Sequence, residues 1–265
     1  MIRTVLEWPP ILSALVFVAA VVLLTLASYA LMRAFAGRYD DAERKELAGS
    51  VIFRVSALHG LILALVFAQE IANLNEADAT AAQEAVLVAD TFFDLERYHA
   101  QETLELRRAL AHYVVRVVEA EWPSLGRDQS LDMQAWDHWE EAYHGALDLA
   151  PATPRQEHLQ AIILDNIRAI SGLRMIREND ARRGTQPLFL VAALIGIVLT
   201  AASYFTYQPR RLNLGLIAIF AGYTGLVVYV IVAFSNPFHA PGMVEPVGFE
   251  RLLEGEIGDM VDPGA

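Results

Sequence analysis

The sequence contains no cysteine and is short of positive charge. Without cysteine the chain can form no disulfide bond, no thiolate metal site and no cysteine nucleophile. Its 20 lysine and arginine residues stand against 32 aspartates and glutamates, which gives a formal net charge of -12. Because nucleic acids are bound mainly by lysine and arginine neutralising phosphates, this balance argues against a nucleic-acid partner.

Sequence signatures of catalysis and cofactor binding are missing as well. Seven histidines are spread along the chain, and none shows the His-Glu-x-x-His spacing that places two imidazoles on one zinc ion. The chain also lacks a phosphate-binding glycine loop and a glycine-flanked serine of the hydrolase type. We therefore expect no enzyme, no metal site and no cofactor.

Apolar residues are what the chain has in excess. They make up 55% of the sequence, and the mean hydropathy is +0.34. Crossing a bilayer takes about 20 consecutive, mainly apolar residues in a helix. Four runs reach that length, at residues 11–35, 51–74, 187–207 and 214–234. The sequence thus predicts an all-α, multi-pass integral membrane protein whose first partner is the lipid bilayer.

Between the second and third runs lies a polar stretch whose apolar residues recur at helical spacing. It predicts an extramembrane helical domain inserted between the two pairs of spans. The predicted parts are residues 1–74 with the first two spans, 75–184 with the helical domain, 185–235 with the last two spans, and 236–265 as an extended tail. Inside the domain we expect a helix break near residues 98–101 and an apolar seam at Leu159, Ile163, Asn166, Ile170 and Leu173.

The orientation follows from arginine and lysine near the spans, whose excess stays in the cytoplasm. Two connecting loops carry Arg33, Arg38, Arg44, Lys45, Arg210 and Arg211. The opposite side carries Arg3, Arg251, Arg174, Arg177, Arg182 and Arg183. Each side carries six of these residues, and from the charges of the two short connecting loops we expect both termini and the helical domain to lie outside the cytoplasm.

The second span concentrates polar residues, each of which costs roughly 2.5 to 3.5 kcal/mol near the bilayer centre on insertion scales. Steps of three and four place six residues on one helix face: Ser56, His59, Leu63, Val66, Glu70 and Asn73. If several copies surrounded an axis, this face would line an ion pathway with an apolar collar. Alternatively, the same side chains are polar contacts between neighbouring helices.

Two charged residues near the ends of this span are candidates for the pore mouths. Arg54 either snorkels to lipid headgroups or attracts anions at one mouth. Glu76 belongs to an acidic group with Glu70, Asp78 and Glu84, which would favour cations at the other mouth. The charges therefore leave the sign of the permeant ion open.

Several fragments together resemble the bacterial bestrophin-like family of membrane proteins. They are ALHGLILALVFAQE (57–70), AQEAVLVADTFF (82–93), LRRALAHYVVRVVEAEWPSL (106–125), LRMIREN (173–179) and SNPFHAPGMVEPVGF (235–249). The run Asn236, Pro237, Phe238 is similar to the Asn-Pro-Phe-Gly motif of animal bestrophins, which are calcium-activated chloride channels. Here His239 replaces the glycine and the acidic calcium-binding run is absent, so neither calcium gating nor anion selectivity is transferred.

The resemblance and the one-sided second span favour a homo-oligomeric ion channel in a bacterial inner membrane, with inorganic ions as its other partners. A plainer interpretation of the Asn-Pro-Phe step is that it ends the last helix at the interface. The alternative function is a membrane-anchored sensor or scaffold whose helical domain binds a partner through the seam at residues 159–173.

The orientation yields a first test. In right-side-out vesicles, added protease should digest residues 75–184, because the loop charges place this domain outside the cytoplasm. Fragments are followed by mass spectrometry, with inverted vesicles as the control. A domain that stays intact in right-side-out vesicles and is cut only in inverted ones would overturn the predicted orientation.

Overall fold

The computed structural model describes residues 2–36, 42–184 and 187–261. Within these ranges the chain is helical and contains no strand. The α-helices are α1 (Ile2–Leu6), α2 (Pro10–Ala36), α3 (Ala42–Tyr98), α4 (Thr103–Arg116), α5 (Trp122–Arg127), α6 (Met133–Asp148), α7 (Pro154–Arg183), α8 (Pro187–Ser203), α9 (Arg211–Ala233), α10 (Val247–Leu253) and α11 (Glu256–Asp259). Arg38, one of the charges used for the orientation, lies outside the described residues, as do positions 1, 185 and 265 of the predicted domain bounds.

The chain divides into two compact units. The membrane unit comprises Met1–Ala72 and Gly184–Ser235, and the helical unit comprises Asn73–Arg183 and Asn236–Ala265. Four candidate membrane spans, long and apolar enough to cross a bilayer, lie within the ranges Pro10–Ala36, Glu46–Tyr98, Pro154–Thr206 and Arg211–Ala233. The predictions of an all-helical chain and of four candidate spans are therefore confirmed.

Small residues let the helices of the membrane unit approach one another closely. α2 packs along both α8 and α9, and one apolar cluster joins Val21, Ile197 and Ala221 from these three helices. A Cβ atom on Gly225 of α9 would lie 2.9 Å from the Cα of Val18 in α2. Glycine at this position therefore sets the distance between the two helices. Near the other end of α2, Arg33 donates hydrogen bonds to the carbonyls of Phe205 and Tyr207.

α3 is one continuous helix of 57 residues, whereas the sequence predicted a span ending at residue 74 and a separate helix after it. The reason is that residues 61–98 contain neither glycine nor proline, so nothing interrupts the backbone hydrogen bonds. The predicted break near residues 98–101 is confirmed. α3 ends at Tyr98, and His99 takes a positive φ of 56°.

The helical unit buries one apolar core between α4, α6, α7 and the second half of α3. Asp132 caps α6 by accepting a hydrogen bond from the backbone N–H of Ala135. Pro154 occupies the first position of α7, where its missing N–H costs no helical hydrogen bond. Between α4 and α5 the helix widens into a π-helical turn, Val117–Glu121.

The sequence predicted an extended C-terminal tail, but the structure places two short helices in it, α10 and α11. Apolar anchors explain the difference: Phe249 and Ile257 are both almost completely buried in the core of the helical unit. The ring of Phe249 lies 6.0 Å from that of Trp122. The tail is thus anchored to the core of the helical unit by an aromatic contact.

The close approach of α2 and α9 generates a test. Gly225→Val should lower the melting temperature of the detergent-solubilised protein, because the added side chain meets the α2 backbone and overpacking of this kind typically costs about 1 to 3 kcal/mol. Gly215→Val in the same helix is the control, since a Cβ atom there meets nothing within 4 Å. Equal melting temperatures of the two variants would contradict the packing described here.

Candidate functional site

Most of the predicted pore-lining face of α3 is buried within the membrane unit of the same chain. His59, Leu63, Val66 and Glu70 expose only 4%, 7%, 7% and 5% of their surface. Ser56 and Asn73, at the ends of the face, are half-buried. The polar stripe is therefore covered by protein, as the cost of placing it in hydrocarbon requires.

α8 supplies the surface against which His59 packs. A Cβ atom on Gly196 would lie 2.1 Å from Nδ1 of His59, so the imidazole occupies space that only glycine leaves free. Both ring nitrogens of His59 are buried and have no hydrogen-bond partner among the described residues. The middle of the face is apolar: Leu63 and Val66 cluster with residues of α8 and α9, namely Ala193, Val228, Ile231 and Val232.

The opposite face of α3 is open and carries mostly short side chains. Ala57, Leu61, Ala64 and Ala68 follow one another at steps of three and four, and all four are exposed. Leu61 exposes 56% of its surface. This open face of α3, defined by these four residues, is free to meet lipid or another copy of the chain.

The two pore-mouth candidates are both exposed. Arg54 lies on the same side of α3 as the open face, one turn before Ala57. Glu76 forms a loose ion pair with Arg183, with 3.7 Å between Oε2 and Nη1. Glu84 is different, because it is completely buried and therefore adds no charge to an acidic mouth.

The Asn236, Pro237, Phe238 motif ties the tail to the rest of the helical unit. The Asn236 side chain donates hydrogen bonds to the carbonyls of Leu125 and Gly126, each at 3.2 Å, and accepts one from the N–H of Phe238. The Phe238 ring lies edge-on to Trp122 at 5.2 Å. A Cβ atom on Gly126 would come within 2.5 Å of the Phe238 carbonyl oxygen. The motif is thus a close-packed turn.

A buried cluster of four charges lies at the centre of the helical unit. Glu84, Glu121 and Arg177 expose none of their surface, and Arg174 exposes 2%. Arg177 donates from Nε to Glu84 at 2.7 Å and from Nη2 to Glu121 at 2.8 Å. Arg174 forms a bidentate pair with Glu121, donating from Nε to Oε1 and from Nη2 to Oε2. Two positive and two negative charges therefore balance one another away from water.

A neighbouring tyrosine adds a hydrogen bond to this charge cluster, whereas Nη1 of Arg177 is buried without a partner among the described residues. The Tyr113 hydroxyl donates to Glu84, and burial together with the Glu84 charge raises the pKa of Tyr113 well above its ordinary value. Burial alone would lower the pKa of Arg177, but the charges of Glu84 and Glu121 outweigh it and raise that pKa. Arg177 is therefore a permanent cation that joins α3 to the π-helical turn and α7.

The charge cluster was missed in the sequence analysis, which counted Arg174 and Arg177 among the charges flanking the third span. A signal for it exists: both arginines continue the apolar spacing of Ile163, Ile167 and Ile170 along α7. A charged side chain in register with an apolar seam predicts a buried ion pair. With these two arginines paired internally, fewer free charges remain on the side predicted to be extracytoplasmic.

The seam of α7 is used inside the helical unit. Ile163 and Ile170 are completely buried, Leu159 and Asn166 are half-buried, and the most buried line runs through Ile167 instead. The Trp139 indole donates to the Ile167 carbonyl at 2.8 Å. Part of the surface that motivated the sensor or scaffold hypothesis is therefore occupied by the same domain, while Leu173, like Leu159 and Asn166, is only half-buried.

The fold and these sites define an all-helical integral membrane protein. It has four candidate spans, one of them in the long helix α3, and a separate helical unit. The model of the Bestrophin-like domain matches residues 18–249. Because this match covers most of the chain, the protein belongs to the bestrophin-like family. The match begins earlier than the fragments that carried the resemblance and ends at the last of them. No curated protein and no solved structure matches the chain.

The charge cluster yields a stability prediction. Arg177→Met should destabilise the helical unit by about 3 to 5 kcal/mol, because it leaves Glu84 buried without its main counter-ion. Thermal unfolding in detergent, followed by circular dichroism, measures the effect. Arg108→Met is the control, since its ion pair with Glu105 is exposed and such pairs contribute about 0 to 1 kcal/mol. If Arg177→Met lowered the stability no more than Arg108→Met does, the structural role of the cluster would be contradicted.

Proposed function

We propose that the protein is a homo-oligomeric ion channel of the bestrophin-like type and not an enzyme. Family membership over residues 18–249 is the observation that carries the proposal. Four helices able to cross the membrane supply the structural setting. The ion sign stays undetermined, and the membrane is proposed to be a bacterial inner membrane with the helical unit on its extracytoplasmic side.

The pathway is proposed to lie between copies of the chain. Within one copy, Leu63 and Val66 meet apolar residues of α8 and α9, which closes the interior of the membrane unit to hydrated ions. An axis surrounded by several copies avoids this obstacle, because each copy then needs to contribute only one helix surface. α3 is the best candidate for that helix, since it carries the open face.

The open face of α3 is proposed to line the axis in place of the Ser56 to Asn73 face. The latter is covered by the same chain, whereas Ala57, Ala64 and Ala68 allow neighbouring copies to approach closely. Leu61 then forms the apolar constriction, and Arg54 forms a charged ring about two turns away. Hydrophobic constrictions and charged rings are both common elements of ion pathways.

Purified protein in liposomes tests the channel directly. We expect ion flux above that of empty liposomes, measured with potassium and chloride gradients under varied voltage, pH and calcium. Flux equal to that of empty liposomes under all these conditions would remove the proposal. Chemical crosslinking in the same membranes reports whether several copies are present.

The absence of cysteine makes the pore face testable without background labelling. Leu61→Cys and Ala64→Cys should lose most of their flux after treatment with a charged methanethiosulfonate reagent, because the attached group narrows the axis. Leu63→Cys is the matched control on the buried face, two residues along the same helix. If the reagent blocks only the Leu63→Cys protein, the pathway lies inside the protomer and the open face is not the pore.

A further inference from the structure

Several side chains of the membrane unit have a buried polar atom without a hydrogen-bond partner. Among the described residues they include Thr25, Ser56, His59 and Thr200. Thr25, His59 and Thr200 expose only 1%, 4% and 0% of their surface. A buried polar atom without a partner costs free energy comparable with a lost hydrogen bond, and native structures contain few such atoms.

Helix register brings Ser56 and Thr200 to one level of the membrane unit. His59 of α3 meets Gly196 of α8. One turn further along α3, Leu63 clusters with Ala193, one turn earlier in α8, so the two helices run antiparallel. One turn in the other direction therefore brings Ser56 to the level of Thr200.

The register of α2 against α8 adds Thr25 to this level. Val21 clusters with Ile197, and the Tyr29 hydroxyl donates to the Tyr207 carbonyl at 2.8 Å. These two contacts show that α2 and α8 run in the same direction. Thr25 lies one turn beyond Val21, and Thr200 lies one turn beyond Ile197. Three helices thus direct unpartnered polar groups to the same depth.

We propose that Ser56, His59, Thr200 and Thr25 form an internal water-binding site within each protomer. Three hydroxyl groups and a neutral imidazole each offer both a donor and an acceptor. Water matches this requirement, because it donates and accepts at once and typically makes about three hydrogen bonds when buried. Among the residues that the structure describes, no carboxylate or cationic side chain lies on these faces one turn on either side of the site, so the chemistry of the site is that of a neutral hydrogen-bonding ligand.

The bound water would lie next to His59, which is the only histidine in the four spans predicted from the sequence. The water joins α3, the helix proposed to line the pore, to α8 and α2 behind it. This inference does not depend on the channel proposal, since a water-binding site inside the membrane unit exists whether or not ions pass between copies.

X-ray hydroxyl-radical footprinting of the full chain in lipid nanodiscs tests the site, because radicals form from water and oxidise side chains beside it. His59 should be oxidised severalfold faster in the wild type than in the Ser56→Ala/Thr200→Val double variant. Thr224→Val is the matched control: it also removes a buried hydroxyl of the membrane unit, but that hydroxyl is bonded to the Phe220 carbonyl. The control should leave His59 oxidation unchanged.

Thermal unfolding is a second test. The change in melting temperature caused by Thr200→Val has opposite signs for a water-bound and an unpaired Thr200 hydroxyl. If Thr200 binds water, Thr200→Val lowers the melting temperature because the water loses a partner. If the hydroxyl is unpaired in apolar surroundings, the nearly isosteric valine raises it. A raised melting temperature, or His59 oxidation equal in the wild type and the double variant, would overturn the water site. If the double variant does not fold, Thr200→Val alone is footprinted.

Discussion

Hydrocarbon cannot hydrogen-bond, and this constraint determines how the polar residues of the spans are arranged. Every polar group of a span must meet protein, water or the interface. On the buried face of α3, His59 meets this requirement by packing against α8, and Leu63 and Val66 beside it cluster with residues of α8 and α9. The opposite face of α3 can be exposed because it is built from alanine and leucine. One helix thereby holds a polar internal side and an apolar external side within the membrane unit.

The helical unit solves a related problem by different means. Its core contains two arginines and two glutamates, and each charge is compensated by a neighbour at hydrogen-bonding distance. Removing one member of such a cluster costs far more than the pairing contributes, so the cluster specifies one arrangement of α3, the π-helical turn and α7. The aromatic rings of Trp122 and Phe249 lie 5.2 and 5.7 Å from the Arg177 guanidinium. Ion pairs and aromatic packing therefore both hold the Arg177 guanidinium in place.

Local patterns predicted much of this fold. Apolar length identified the spans, and the break after Tyr98 followed from the local sequence. The continuity of α3 was missed because the polarity changes at residue 75, although the backbone contains no residue that ends a helix there. The direction of the polar face was beyond sequence reasoning, since periodicity shows that Ser56, His59 and Glu70 share a side but not which helix covers that side. The contact between His59 and Gly196 depends on residues more than a hundred positions apart.

The helical unit is assembled from two distant parts of the chain, Asn73–Arg183 and Asn236–Ala265. Phe238, Phe249 and Ile257 belong to its core, yet the ribosome makes them after α8 and α9. During synthesis the core of the helical unit therefore stays incomplete, with part of its apolar surface uncovered, until the end of the chain has been made. Completion of this unit thus reports that the preceding membrane helices have been made, which couples the folding of the two units in time.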